Sequence, residues 1–187
     1  GQQVANEEGE MVLLNQTGTK LSAVGKIVID PDTGDITAEL VTDYAGRDAD
    51  TQAFVDGINA EFADVLNQVV AHSDVSLTTV DPTSGERIIR NLETNLGDLC
   101  ADAYRTVLEA DVGLVNGGGI RADIPAGDVT YGQIINVHPY SNQATSVRAT
   151  GQQLLDALEM GARNNPGENG GFLQVSGMTY TIDTTIP

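Results

Sequence analysis

Short apolar runs alternate with turn residues in the first part of the chain. Met11–Leu14 is apolar, and Asn15–Gly18 has the composition of a turn. Leu21–Ile29 is rich in Val and Ile, as β-strands are. Asp30–Asp35 predicts a tight turn, and Ile36–Val41 predicts a third strand. The pattern therefore predicts a small β meander whose first two strands lie around the Asn15–Gly18 turn, too short to form an independent domain.

The hydrophobic period becomes helical after Asp48. Apolar residues then recur at intervals of three and four positions, at Phe54, Ile58, Phe62, Leu66 and Val69. Asp48 and Asp50 place negative charge where a helix N-terminus favours it. The spacing predicts a helix to about His72, long enough to connect two domains.

Helical and strand patterns alternate through the rest of the chain. In order, they predict a helix over 94–109, a buried strand over 111–115, a turn over 125–129, a helix from Thr130 to about Val137, a strand over 143–149, a helix from Thr150 to about Asn164, and a hairpin-like pair of strands over 172–183. Thr150 and Gln153 have the spacing of a capping box. The residues by themselves thus indicate a mixed α and β fold.

Composition and charge narrow the possible functions. The 187 residues allow one domain, or one domain plus part of another. With 27 acidic and 9 basic residues the net charge is −18, which disfavours binding to nucleic-acid polymers and anionic membranes. Cys100 is the single cysteine, so no internal disulfide can form, and His72 and His138 are far apart, which argues against a histidine-rich metal site. No stretch is apolar enough to predict a transmembrane segment.

The most informative stretch is Val112–Arg121. The predicted buried strand is followed by Asn116 and the three glycines 117–119, and Arg121 comes two residues after the last glycine. Glycines allow unusual backbone conformations and let N–H groups approach a ligand, while an Arg side chain suits phosphate or carboxylate. The alternative interpretation is a tight strand-to-loop turn with Arg121 in a surface ion pair.

Two further groups of residues are candidates for ligand binding. Arg87 and Arg90 precede a predicted helix N-terminus, a combination that can bind an anion, although they can also simply neutralise Glu86 and Glu93. In the segment His138-Pro-Tyr140, the Tyr140 ring can stack on a planar group or serve only in packing.

Taken together, these stretches resemble a known family. NLETNLGDLCADAYR over 91–105, NGGGIR over 116–121, AGDVTYG over 126–132 and VHPYSN over 137–142 occur in the order and spacing of the secreted 5′-nucleotidase family, which includes bacterial UDP-sugar hydrolases and ecto-5′-nucleotidases. The resemblance runs from about Asp48 to the last residue and is to the C-terminal, substrate-binding domain. It implies an α+β fold in four α/β/β/α layers.

The resemblance also implies roles for individual residues. Arg90 and Arg121 match arginines that reach the phosphate or ribose side of the substrate, and Asn116 matches an amide that reads the base. Gly117, Gly118 and Gly119 belong to the same substrate-binding motif. Tyr140 stands where the family usually has a Phe that stacks on the base, and Arg87 has no secure counterpart.

The family's domain organisation implies how this chain is divided. We expect residues 1–47 to be the tail of an N-terminal metallophosphoesterase domain, 48–72 a linker helix, and 73–187 an incomplete nucleotide-binding domain. In the family, two divalent metal ions lie in the N-terminal domain, upstream of the part that this chain resembles. We therefore expect no metal bound by this chain and no hydrolysis by it alone. A second stacking aromatic and a ribose-binding Asp are expected beyond residue 187.

The expected partners are a nucleotide or nucleoside and the parent's own N-terminal domain, with possible pairing of chains through an exposed sheet edge. The expected location is extracellular, cell-wall-associated or periplasmic. Two alternatives stay open. One is a non-catalytic nucleotide-binding or surface-interaction module with the same fold. The other is a 2′,3′-cyclic-nucleotide phosphodiesterase or thiosulfohydrolase-like relative.

Overall fold

The first compact unit, Gly1–Gly57, contains two β-hairpins. The computed structural model describes residues 1–19 and 21–185. Strand β1 (Gln2–Ala5) pairs antiparallel with β2 (Met11–Leu14), and β3 (Val24–Ile29) with β4 (Ile36–Val41). The turn between β3 and β4 was predicted correctly.

The strand order in this unit differs from the predicted meander. The Asn15–Gly18 segment connects strands of two separate sheets, because β2 pairs with β1 and not with β3. The hydrophobic pattern did not predict β1, because two of its four residues are Gln and its apolar character is weak.

Helix α1 (Ala49–Leu66) begins where the charge pattern predicted, with the Asp48 carboxylate accepting a hydrogen bond from the Thr51 N–H at 2.8 Å. The prediction that it continues to His72 was wrong. Val69–Ser73 instead forms strand β5, which pairs with β7 (Gly127–Thr130). The same pairing corrects the predicted turn over 125–129, since most of that segment is strand. The β-branched Val69 and Val70 favour a strand once a partner is available.

The unit from Ile58 onward carries the remaining elements. Numbered with those already given, they are α2 (Asn95–Val107), β6 (Gly113–Asn116), a short 3₁₀ turn (Gly117–Gly119), β7, α3 (Tyr131–Val137), α4 (Gly151–Ala162) and β8 (Leu173–Ser176). Strands β6 and β8 pair antiparallel, with Asn116 opposite Leu173, and α2 packs on both. The mixed α+β class is confirmed, and the four-layer arrangement stays a prediction.

Local capping explains where the three helices of this unit begin. Thr94 accepts a hydrogen bond from the Gly97 N–H at 3.0 Å at the start of α2. Thr130 with Gln133, and Thr150 with Gln153, form complete capping boxes at α3 and α4. Each side-chain oxygen satisfies an N–H group that the helix leaves free, and the predicted starts of all three helices are confirmed.

The core lies under α2 and the two sheets. Its buried side chains are mainly aliphatic: Ile89, Leu96, Cys100, Ala101, Val115, Ile120, Ile124, Val129 and Val137. Burial raises the pKa of the Cys100 thiol to about 12. This core packs directly beneath the segment that leads into Gly117–Gly119.

Two strand predictions near the C-terminus were wrong in whole or in part. Residues 143–149 form no strand and are exposed, and no described strand pairs with them. Over 172–183 only the first half is a strand, β8, which pairs with β6. A β-branched pattern alone is insufficient without a neighbour to accept its hydrogen bonds. Within the described residues, no helix is long and apolar enough to cross a membrane.

Candidate functional site

Close packing explains the three consecutive glycines at the end of β6. A Cβ atom on Gly117 would collide with the carbonyl oxygen of Ile89, and one on Gly118 would lie 2.7 Å from that of Gly170. The N–H of Gly117 donates to the Phe172 carbonyl at 2.7 Å, and that of Gly118 to Gly170 at 2.9 Å. These two donors are therefore used within the chain, and the absence of side chains at these glycines lets the backbone segments pack closely.

Asn116 lies at the exposed end of β6. Its Nδ2 donates to the Gly170 carbonyl at 3.2 Å. Within residues 1–19 and 21–185, no protein donor forms a hydrogen bond to its Oδ1. The side-chain amide is thus held at one end and keeps a carbonyl oxygen available as an acceptor.

Arg121 and Tyr140 come together on the exposed surface. The Arg121 guanidinium carbon lies 5.9 Å from the centroid of the Tyr140 ring, and its Nη1 donates to the Gly118 carbonyl at 3.2 Å. The Arg121 N–H also donates to the Val137 carbonyl at 2.9 Å, which connects the glycine turn to the end of α3. Tyr140 remains 58% exposed. A cation and an aromatic ring are therefore both available to a ligand at the same place.

Arg90 reaches the same region from another part of the chain. It is half-buried, and its Nε is enclosed without a hydrogen-bond partner in the described residues. Its carbonyl accepts a hydrogen bond from the Asn169 N–H at 2.9 Å. Because Ile89 and Arg90 pack against Gly117, the structure brings the Arg90 backbone to the glycine turn.

Arg87 forms an ion pair, but its partner is not one that the sequence suggested. Its Nε and Nη2 donate to the two carboxylate oxygens of Glu168 at 2.6 and 2.5 Å. The hydrogen bonds from Arg87 lower the pKa of Glu168, and the positive charge of Arg90 contributes. The neutralising interpretation holds for Arg87, with Glu168 as partner and not Glu86 or Glu93.

His138 is partly buried and lies beside Tyr104. Its ring centroid is 5.6 Å from that of Tyr104, at an interplanar angle of 36°. Burial lowers the pKa of His138, which favours the neutral imidazole. Together with Asn116 and Gly119, both rings line a cavity of about 810 Å³.

The sequence pattern did not indicate that the loop 164–171 takes part in the site. Asn169 is 8% exposed, and its Nδ2 donates to the carbonyls of Met160 and Gly161 at 3.1 and 2.7 Å. Gly170 supplies the carbonyl that holds both Asn116 and Gly118. The one signal was an Asn followed by two glycines, which is also the composition of an ordinary turn.

The described residues do not fit a pair of catalytic metal ions. No group of three or more His, Cys, Asp and Glu side chains in that part of the chain could hold a metal ion. We therefore derive no metal-dependent step from these residues. The exposed side chains at the glycine turn are instead the Arg121 cation, the Asn116 amide and the Tyr140 ring, which suit the binding of an anionic group attached to a planar one.

Comparisons with known proteins relate this chain to 5′-nucleotidases. The family model described as the 5′-nucleotidase C-terminal domain matches residues 69–187. The trifunctional nucleotide phosphoesterase protein YfkN of Bacillus subtilis is 34% identical over 162 residues, covering 84% of this chain and 11% of that protein. A 5′-nucleotidase of Vibrio parahaemolyticus is 35% identical over 119 residues, covering 63% of this chain and 20% of that protein.

Among solved structures, the 5′-nucleotidase precursor from Thermus thermophilus superposes with a TM-score of 0.74 at 28% sequence identity. The match covers 100% of this chain and 38% of the other. The chain thus spans only a tenth to a fifth of the length of the curated relatives it matches.

Proposed function

The chain belongs to the 5′-nucleotidase C-terminal domain family, and on that basis we propose that it recognises the nucleotide for an enzyme that hydrolyses nucleoside 5′-phosphates or UDP-sugars. The observation that carries this proposal is the Arg121–Tyr140 pair, a guanidinium over an exposed ring. Nucleotides combine a flat base with an anionic phosphate. A ring that stacks and a cation that binds phosphate are the complementary groups.

In this proposal the other residues complete the site. Tyr140 stacks on the base, and the Asn116 amide hydrogen-bonds to its edge. Arg90 and Arg121 bind the phosphate or ribose side. Gly117 and Gly118 let the Ile89 and Gly170 backbones pack against the turn that carries Asn116 and Arg121, and so fix the position of those two side chains.

We further propose the parent enzyme's organisation. Residues 1–47 are the tail of a metallophosphoesterase domain, 48–72 the linking segment, and 73–187 part of the nucleotide-binding domain. The two divalent metal ions belong to the parent's N-terminal domain, which would supply the activated water. The parent acts in the cell envelope or outside the cell.

A second candidate is a broader phosphoesterase specificity. The similarity to a protein named a trifunctional nucleotide phosphoesterase supports it. A cyclic nucleotide presents the same base and a phosphate diester with less negative charge, so Tyr140 and Asn116 would bind it in the same way. Similar affinities for AMP and 2′,3′-cyclic AMP would favour the broader specificity. A much weaker affinity for the cyclic nucleotide would favour recognition of nucleoside 5′-phosphates.

The test is an NMR titration of the 187-residue chain with adenosine, AMP and ribose 5-phosphate to millimolar concentration. We expect saturable shifts of the Tyr140 ring and of the amides of 116–121 with adenosine and AMP. Ribose 5-phosphate, which lacks the base, should shift the arginine signals without shifting the Tyr140 ring. Absence of any shift in the folded chain would contradict nucleotide recognition by these residues. Hydrolysis of AMP by the purified chain with added divalent metal would contradict the assignment of the metals to another domain.

A further inference from the structure

The loop 164–171 is held onto the segment 87–91 by side chains that the proposed site does not use. The bidentate Arg87–Glu168 pair is the strongest of these contacts. Beside it, the Asn91 side chain donates to the Pro166 carbonyl at 2.9 Å. In return, the Asn165 side chain donates to the Asn91 carbonyl at 2.8 Å. The two segments are thus joined on both sides, although they lie far apart in sequence.

The same loop holds two groups of the candidate site. The Gly170 carbonyl accepts hydrogen bonds from the Asn116 amide and from the Gly118 N–H. The Asn169 N–H donates to the Arg90 carbonyl. A displacement of the loop would therefore release the Asn116 side chain and remove a backbone contact of Arg90.

We propose that Arg87 and Glu168 are positioning residues, whose ion pair holds the loop 164–171 so that the Gly170 carbonyl orients the Asn116 amide. In its consequence for ligand affinity, this inference rests on the proposed function. Glycines at 167, 170 and 171 give the loop a large conformational entropy to lose, so a restraint on it has a large effect. Neither Arg87 nor Glu168 needs to touch the nucleotide.

The geometry distinguishes this pair from an ordinary surface ion pair. Exposed ion pairs contribute little unless their geometry is bidentate or they belong to a network. Here both carboxylate oxygens of Glu168 are engaged by one guanidinium, and the Asn91–Asn165 contacts lie alongside. The side chains of Arg87 and Glu168 are only 48% and 37% exposed, which reduces competition by water.

The experiment compares four variants of the 187-residue chain by NMR. Glu168→Gln and Arg87→Gln each break the charge pair, and the double variant Arg87→Glu/Glu168→Arg restores it in reverse. Glu159→Gln is the matched control. It removes one carboxylate on the exposed side of α4 that forms no described ion pair. The ligand-free readouts are hydrogen exchange of the Gly118 amide and the chemical shifts of the Asn116 side-chain NH₂. Exchange of the Cys100 amide in α2 reports global stability.

We expect each single variant to increase Gly118 exchange about tenfold and to shift the Asn116 NH₂ signals, because the charge-assisted hydrogen bonds that restrain the loop are lost. Cys100 exchange should change much less, and the charge-reversed pair should recover most of both effects. Adenosine affinity should fall about three- to tenfold in the single variants, in line with coupling energies between neighbouring groups.

Unchanged Gly118 exchange and Asn116 shifts in both single variants would overturn the inference. Equal changes at Gly118 and Cys100 would also overturn it, since the pair would then act only on global stability. If the wild-type chain fails to bind adenosine, the proposed function fails. The ligand-free readouts still decide the positioning role.

Discussion

Tyr140 presents an exposed aromatic ring at the candidate site, and the residue is 58% exposed. We predict that Tyr140→Ala weakens adenosine binding by about 1–3 kcal/mol, the range for loss of an aromatic stacked on a base. Tyr140→Phe should retain most of the affinity, because stacking needs only the flat ring. The measurement is the dissociation constant for adenosine and for ribose 5-phosphate, with Tyr44→Ala as the control for loss of an exposed tyrosine. Equal losses for both ligands would argue against stacking.

Gly117 is the position at which a side chain is least tolerated. The carbonyl oxygen of Ile89 lies where a Cβ atom would stand, so Gly117→Ala must move one of two backbone segments. We predict a loss of unfolding free energy of about 1–3 kcal/mol, as for other overpacked sites. Urea unfolding measures it.

Gly151→Ala is the matched control, since nothing lies within 4 Å of its Cβ position and Ala favours the helix. It should leave stability unchanged or raise it slightly. Equal effects of the two substitutions would show that the Gly117 contact relaxes at little cost.

At the same scale, the reason for the glycines could not be predicted from sequence. The NGGGIR motif identified Asn116, the glycines and Arg121 as candidates, and the structure places them around one turn. The expectation that the N–H groups of Gly117 and Gly118 point at a ligand is not met, because those groups donate to Phe172 and Gly170. The approach of Ile89 and Gly170 depends on chain segments distant in sequence, which no local pattern encodes.

Among the elements, the N-terminus of α2 and strand β8 are joined through the buried side chain of Gln174. Gln174 is 2% exposed. Its Oε1 accepts from the Thr94 N–H at 3.1 Å, and its Nε2 donates to the carbonyls of Ile89 and Leu92 at 3.0 and 2.7 Å. These bonds connect β8 to the segment that carries Arg90 and to the N-terminus of α2.

We predict that Gln174→Leu lowers the free energy of unfolding by about 3 kcal/mol or more, because three backbone groups lose their partner and each unsatisfied buried group costs about 1–3 kcal/mol. Gln152→Leu, on the exposed face of α4, is the control and should have little effect. Thermal and urea unfolding measure both. A loss below about 1 kcal/mol for Gln174→Leu would mean that water replaces these hydrogen bonds.

The elements also show why helices were predicted better than strands. The starts of α2, α3 and α4 follow from Thr and Gln side chains within a few residues of the helix. Strands β5 and β7 pair residues such as His72 and Asp128, which are far apart in sequence. The local sequence pattern therefore predicted a helix for one segment and a turn for the other. Pairing decides a strand, and it is set by the tertiary fold.

For the whole molecule, the dominant electrostatic fact is the excess of acidic residues. A net charge of −18 makes the folded chain repel itself more than the expanded unfolded chain does. Salt screens this repulsion, since the Debye length falls to about 10 Å at 0.1 M ionic strength. We predict that the urea midpoint of unfolding rises when NaCl increases from about 20 to 300 mM, with an unchanged m-value.

A charge variant separates this effect from ion-specific stabilisation. Glu86→Gln/Glu159→Gln removes two exposed carboxylates that take part in no ion pair among residues 21–185, and changes the net charge from −18 to −16. If salt acts by screening repulsion, the urea midpoint should rise less with salt in this variant than in the wild type. Ion-specific stabilisation would give the same rise in both.

Salt also weakens the Arg87–Glu168 pair, so adenosine affinity should fall over the same range in which stability rises. That opposition follows because the global repulsion spans the whole chain while the attraction is local to one loop.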